Sequence, residues 1–412
     1  YQPEMFEQLS SFDNPTHHTI DGNIRVGGKS TTALARLKCC LAKRRMGGCV
    51  GSRRREQFLM QGKQDQNNLT GLTNRRTFMQ YLAMLGVGGH ALFRSGNLRA
   101  AIAEAKETVG DAPAWPGMTY RTLGRTNFNA SRLIFGCGAT LSRRPADRLL
   151  ETAFAAGVNV YDVGTSRYYN KAERHLASFV KKHRDEIFLI SKAMVYLDVE
   201  PEEEITVAQA KSGAAAWLEL MDESLRELDV DHVDAYYLMG SNNPYIVGSE
   251  EFYNAFQKAK QAGKVSHWCV STHQNAQRVL ETAVERGWYD LAMLAITPAG
   301  WYDWQDKNIL AGTPSLKELQ PLLAKARESG MALIGMKAGR MLAGRMFAGR
   351  GDSTAFNAHY DERMLKSQLT DFQRSYAYVL ENGMDAVNAD MQNFLHLKEN
   401  FIAAATSQQY FA

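Results

Sequence analysis

From Tyr120 onward, short apolar runs alternate with stretches in which apolar residues recur at helical spacing. The runs cover 132–139, 158–163, 187–193, 233–239, 266–272, 291–297, 332–338 and 386–391. Their shortness and near-continuous apolar character predict strands buried on both faces. Between them, 145–156, 171–182, 212–228, 250–262, 276–286, 315–329 and 370–380 predict helices. Eight strands alternating with helices predict an α/β fold, a (β/α)8 TIM barrel. The alternative is an open doubly wound sheet, which requires a glycine fingerprint after its first strand. Gly136-Cys137-Gly138-Ala139-Thr140-Leu141 lacks the third glycine.

The pattern ahead of this region is different. Residues 1–59 sustain neither a helical nor a strand period and are expected to be a disordered leader or an over-extended reading frame, the chain opening on Tyr1 rather than methionine. Asn74-Arg75-Arg76-Thr77-Phe78-Met79-Gln80 then precedes a moderately apolar run, Tyr81-Leu82-Ala83-Met84-Leu85-Gly86-Val87-Gly88-Gly89. This stretch resembles a twin-arginine export signal, and the resemblance implies the twin-arginine export machinery as a partner and a periplasmic or exported location, with a cytoplasmic one as the alternative. The expected organisation is therefore a leader over 1–59, a signal segment and linker over 60–118, and the barrel over 119–412.

Composition changes this picture little. The chain has 412 residues, 45% hydrophobic and 22% charged, with a net charge of +4, which is ordinary for a globular protein. A run of arginines, Arg44, Arg45, Arg53, Arg54, Arg55, Arg75 and Arg76, lies ahead of the barrel, and acids and bases are mixed from about Tyr120 onward, so no nucleic-acid footprint is expected on the main body. No run reaches the roughly 18 apolar residues of a membrane span. Cys39, Cys40, Cys49, Cys137 and Cys269 lack paired ligand spacing; buried free thiols are expected rather than a metal site.

Barrel chemistry sits at the C-terminal ends of the strands. Those ends carry Asp162, Lys192, Met239, Ser271-Thr272, Thr297, Lys337 and Asp390. An acid and a lysine on adjacent strands form an ion pair suited to lowering the pKa of a nearby phenol; Tyr168 and Tyr169 follow Asp162 on its loop. Trp301, Tyr302 and Trp304 either wall a substrate pocket or cover the barrel. Lys337 and Arg340 either meet an anionic ligand or are solvated loop charges. His273, just past a strand tip, reads as a surface-loop residue, although it is the one histidine placed to turn into the site.

Several of these segments together resemble the aldo-keto reductase family. Tyr120-Arg121-Thr122-Leu123-Gly124-Arg125-Thr126 resembles its opening hairpin. Gly157-Val158-Asn159-Val160-Tyr161-Asp162 is similar to its second strand, and Tyr169-Asn170-Lys171-Ala172-Glu173 to its tyrosine segment. Ile190-Ser191-Lys192 supplies its lysine, Val270-Ser271-Thr272 the tip that holds a nicotinamide carboxamide, and Leu397-Lys398-Glu399-Asn400 the adenine-side helix. The resemblance covers roughly 120–405. It implies hydride transfer between a nicotinamide and a small carbonyl or sugar-like substrate. Tyr169 would be the acid, tuned by Lys192 and Asp162, with Ser271, Thr272, Asp390, Glu399 and Asn400 binding the cofactor and no metal required. Met239 stands where the family carries a histidine, and a thioether donates no hydrogen bond. Asp390 and Gln392 disfavour the extra phosphate of NADP(H), so NAD(H) is the expected cofactor. A catalytically impaired barrel acting as a binding or assembly subunit is the alternative function. A barrel with lyase or isomerase chemistry rests on fold analogy alone.

Overall fold

The computed structural model describes residues 116–344 and 349–410. The expected leader, the twin-arginine segment around Arg75-Arg76, and Cys39, Cys40 and Cys49 lie outside the described residues. The described chain begins with a hairpin, β1 (Tyr120–Thr122) antiparallel to β2 (Asn129–Ser131). It continues through β3 (Leu133–Gly136), β4 (Val160–Asp162), β5 (Phe188–Met194), β6 (Val233–Met239), β7 (Val265–Thr272) and β8 (Leu291–Thr297). A short antiparallel pair follows, β9 (Gly300–Asp303) and β10 (Asn308–Ile309), and then β11 (Ala332–Met336) and β12 (Ala386–Asp390). Strands β3, β4, β5, β6, β7, β8, β11 and β12 neighbour one another in that order, each pair parallel, and β12 returns to β3. This is the expected (β/α)8 barrel, a closed sheet without edges.

The apolar runs form these strands because helices cover their outer faces while side chains fill the interior. All of β8, Leu-Ala-Met-Leu-Ala-Ile-Thr, is buried. Trp217 of the helix Val207–Leu228 meets Trp268 of β7 edge-on, with ring centroids 4.9 Å apart. That helix starts five residues ahead of the expected 212, because Thr206 and Gln209 form a reciprocal capping box. Two strands stop two or more residues earlier than expected. β3 ends at Gly136, where the short helix Gly138–Leu141 begins. β11 ends at Met336, because Lys337 turns the chain with φ +68°. Cys137 and Cys269 are buried free thiols, as expected. Among the described residues no helix is long and apolar enough to cross a membrane.

The N-terminal end of the barrel is tied shut by charge. Arg125, in the β1–β2 turn, donates from Nε to Oδ1 of Asp290 at 2.5 Å and from Nη2 to the carbonyl of Tyr289 at 2.7 Å. Arg132, fully buried, pairs with Glu381 and donates from Nη2 to the Leu380 carbonyl at 2.6 Å. Polar residues left over for chemistry stand at the opposite end.

Candidate active site

At the C-terminal mouth, strand pairing sets two inward levels. Lys192, Tyr237 and Cys269 share one; Met194, Met239, Ser271 and Met293 share the next. Asp162 ends β4 beside β5, and Nζ of Lys192 lies 2.5 Å from its Oδ2. Lys192 also donates to the Val163 carbonyl at 2.6 Å. From β12, separated from β4 by β3 alone, Asn388 donates through Nδ2 to the same Asp162 oxygen at 2.6 Å. Both charges are buried, at 3% and 4% exposure for Asp162 and Lys192. A pair this enclosed adds little net stability, since desolvation offsets its attraction; what it provides is a fixed charge at a fixed place.

Tyr169 ends the short helix Ser166–Tyr169, and the chain reverses at once through Asn170, whose φ is +52°. Its ring lies in a slot between two glycines. A Cβ at Gly138 would stand 2.6 Å from Cδ1 and 2.8 Å from Cζ, and one at Gly164 would stand 3.0 Å from both Cδ2 and Cε2. A side chain at Gly138 displaces the ring, and one at Gly164 meets Cγ of Lys192 at 2.9 Å as well as the ring. Nζ of Lys192 sits 5.3 Å from the ring centroid, and Tyr168 meets the ring edge-on at 4.7 Å.

The expectation that the acid–lysine pair lowers the phenol's pKa is corrected. Burial pushes the Tyr169 hydroxyl well above its ordinary value, and Tyr168, Asp162 and Asp390 push it further the same way. The lysine does not offset this, because its ammonium is directed at Asp162 and the Val163 carbonyl. Tyr169 is therefore neutral at physiological pH and stands as a proton donor.

Met239 is 2% exposed and lies in register with Met194 on one side and Ser271 on the other. Two residues past Ser271, His273 is half-buried rather than on an exposed loop. Its ring lies 6.0 Å from that of Trp304. Burial, reinforced by Lys337, Lys192 and Arg340, lowers its pKa to about 3. Trp304 also carries Nζ of Lys337 at 4.4 Å and Cζ of Arg340 at 5.3 Å from its ring. Burial first, then Arg340 and Lys192, bring the Lys337 amine down to about 7, against the opposing pull of Asp390. The aromatic trio thus divides: Trp301 and Tyr302 are 1% exposed and fill the core, while Trp304 faces the mouth with its cations.

The remaining expected residues lie around this cluster rather than in it. The Thr272 hydroxyl is engaged by Gln274 and Asn242. Asp390, exposed at the tip of β12, accepts from Oγ1 of Thr140 at 2.8 Å and from Nε2 of Gln392 at 3.0 Å. Glu399, on the helix Phe394–Thr406, accepts from Oγ1 of Thr370 at 2.5 Å, and Asn400 is buried on the same helix. Tyr376 lies within the field of Arg340, Asp390 and Glu399, and burial pushes its pKa to about 12. Asn388 and the glycine slot escaped the sequence reading. Asn388 left one signal, a polar side chain two residues ahead of the tip of an apolar strand; the slot left none, since Gly138 and Gly164 are far apart along the chain.

A family model described as the aldo/keto reductase family matches residues 128–385. Among solved structures, an aldo-keto reductase from Klebsiella pneumoniae in complex with NADPH is 19% identical, with a TM-score of 0.50, covering 70% of this chain and 89% of its own. The holo form of an aldo-keto reductase from Bacillus halodurans is 20% identical, with a TM-score of 0.49, covering 71% of this chain and 95% of its own.

Proposed function

Because the chain belongs to the aldo/keto reductase family, we propose that it interconverts a small, sugar-like carbonyl compound and its alcohol with a nicotinamide dinucleotide. The observation that carries this reading is the glycine-held Tyr169 ring beside the Lys192–Asp162 pair, with Asn388 fixing the carboxylate.

A reduced nicotinamide, when bound, supplies the hydride that adds to the carbonyl carbon. Tyr169 gives its hydroxyl proton to the carbonyl oxygen as negative charge develops there. A phenol held neutral by burial keeps that proton until the oxygen becomes basic enough to take it. The phenolate left behind regains a proton from solvent, while the Lys192 ammonium, 5.3 Å from the ring centroid, stays directed at Asp162. In the oxidising direction the same phenolate accepts the alcohol proton.

The residues present fit the cofactor. Two cations gathered on Trp304, one with its pKa brought down to about 7, form a wall suited to a pyrophosphate. Ser271, on the level of Met239, is placed for a carboxamide; Thr272, engaged by Asn242 and Gln274, shapes the loop beside it. The exposed Asp390 carboxylate favours NADH over NADPH by repelling a ribose phosphate.

Titrating the protein with each dinucleotide while following nicotinamide fluorescence tests this. NADH is expected to bind about tenfold more tightly than NADPH, a difference of roughly 1.4 kcal/mol. Tyr169→Phe is expected to leave binding intact and to reduce turnover of aldehydes by at least about 10²-fold. Binding of neither dinucleotide would sink the proposal. Binding without turnover would support the second reading, a barrel that holds ligands without reacting them, which Met239 favours by offering no donor. We read the segment around Arg75-Arg76 as directing export, so that the loaded barrel works in the periplasm; the twin arginine and its apolar run support this.

A further inference from the structure

An oxygen that takes up negative charge needs more than one hydrogen-bond donor in a water-poor site. Tyr169 is one. The tip of β6, two strands along the barrel from β4, ends in Met239, which can give none. On the neighbouring strand, Ser271 stands in register with Met239, and the chain then continues two residues to His273.

His273 is held at both ends of its backbone. Its N–H donates to Oδ1 of Asn242 at 3.2 Å, and its carbonyl accepts from the Trp304 N–H at 3.2 Å. Asn242 belongs to the loop leaving β6, and its Oδ1 also accepts from the Gln274 N–H at 3.1 Å. Loops from both sides therefore fix the residue, and its ring lies 6.0 Å from that of Trp304, which also carries Lys337 and Arg340; Lys192 is among the charges that act on it. Among the described residues neither ring nitrogen has a hydrogen-bond partner, and the same holds for the Tyr169 hydroxyl.

We infer that His273 is a catalytic residue, its ring N–H donating to the reacting oxygen beside Tyr169 and filling the role that Met239 leaves open. This rests on the functional reading above. With its pKa lowered to about 3, the ring is neutral throughout the physiological range. A neutral imidazole polarises a carbonyl without transferring its proton, which leaves the proton transfer to Tyr169.

The test uses the full chain with oxidised dinucleotide and 4-(dimethylamino)benzaldehyde, a probe whose absorption band moves to the red when its carbonyl is polarised. The unaltered protein is expected to shift the band, and His273→Phe to lose at least half of that shift while dinucleotide affinity stays within about twofold. In single-turnover reduction of 4-nitrobenzaldehyde, His273→Phe is expected to slow the hydride step on the order of 10²-fold. His273→Gln, which keeps an N–H donor, is expected to retain most of the red shift. Met239→His added to His273→Phe is expected to restore both the shift and the rate. Should the phenylalanine variant not fold, His273→Leu takes its place. If the unaltered protein binds and reduces the probe while His273→Phe keeps both shift and rate, the inference falls alone. If the unaltered protein binds neither dinucleotide, the functional reading falls and takes the inference with it.

Discussion

Lys337 has a property that sequence could not reveal. Its position after an apolar run suggested either an anion contact or a solvated charge. In the fold it stands on the Trp304 ring beside Arg340, and burial with that neighbour brings its amine down to about 7. The direction of the pH effect follows from this. Below about 7 the amine is charged and attracts an anion; above it, the charge is lost. Binding of NADH or NADPH is therefore expected to weaken about tenfold as pH rises from about 6 to about 9. Lys337→Gln is expected to bind weakly and without that dependence. Dissociation constants from fluorescence titration across the range check it; an unaltered slope in the variant would assign the dependence elsewhere. His273 and Asn388 show the same limit of legibility. Each is a polar letter near a strand tip, and only the closed ring of strands decides which partners it meets.

Between elements, the clearest case is Glu173, on the helix Ala172–His183. It is 1% exposed and accepts from Oγ of Ser191, the residue before Lys192, at 2.6 Å. Burial raises its pKa to about 7; the hydrogen bonds from Ser191 and Ser224 oppose the shift, and Glu227 and Glu223 add to it. In the unfolded chain it titrates near 4.5. The folded state therefore holds a proton that the unfolded state releases between these values. Stability contributed here is full below about pH 4.5 and is lost as pH rises through about 7. Glu173→Gln is expected to raise stability at about pH 8 by on the order of 2–3 kcal/mol and to change it little near pH 5. Urea midpoints at the two pH values measure this. The sequence marked Glu173 as part of the tyrosine segment, yet its burial depends on packing against Ser191 and Ser224, which no local pattern encodes. Element ends were misjudged where a cap lay ahead of the apolar spacing, as at Thr206, and where one backbone angle intervened, as at Lys337.

At the scale of the whole chain, the barrel was readable because apolar runs and helical spacing repeat along 133–390 with little interruption, and each repeat constrains the next. The site was readable only where chemistry coincides with a strand end, as for Asp162 and Lys192. The proposed export signal belongs to this scale, since it concerns where the barrel works rather than how. Replacing Arg75 and Arg76 together by lysine is expected to shift the protein from the periplasmic to the cytoplasmic fraction, with the barrel's melting temperature unchanged. Fractionation with immunodetection reads the outcome, and an unchanged distribution would remove the export reading.

The slot that holds Tyr169 also bears on time. An aromatic ring in a loose site turns over about its own axis, interchanging its two edges. Gly138 and Gly164 lie against its two edges, Tyr168 meets it edge-on at 4.7 Å and Nζ of Lys192 stands 5.3 Å from its centroid, so this rotation is hindered. The hydroxyl oxygen lies on that rotation axis, so what the slot fixes is the axis itself, and the incoming carbonyl meets its proton donor at one place.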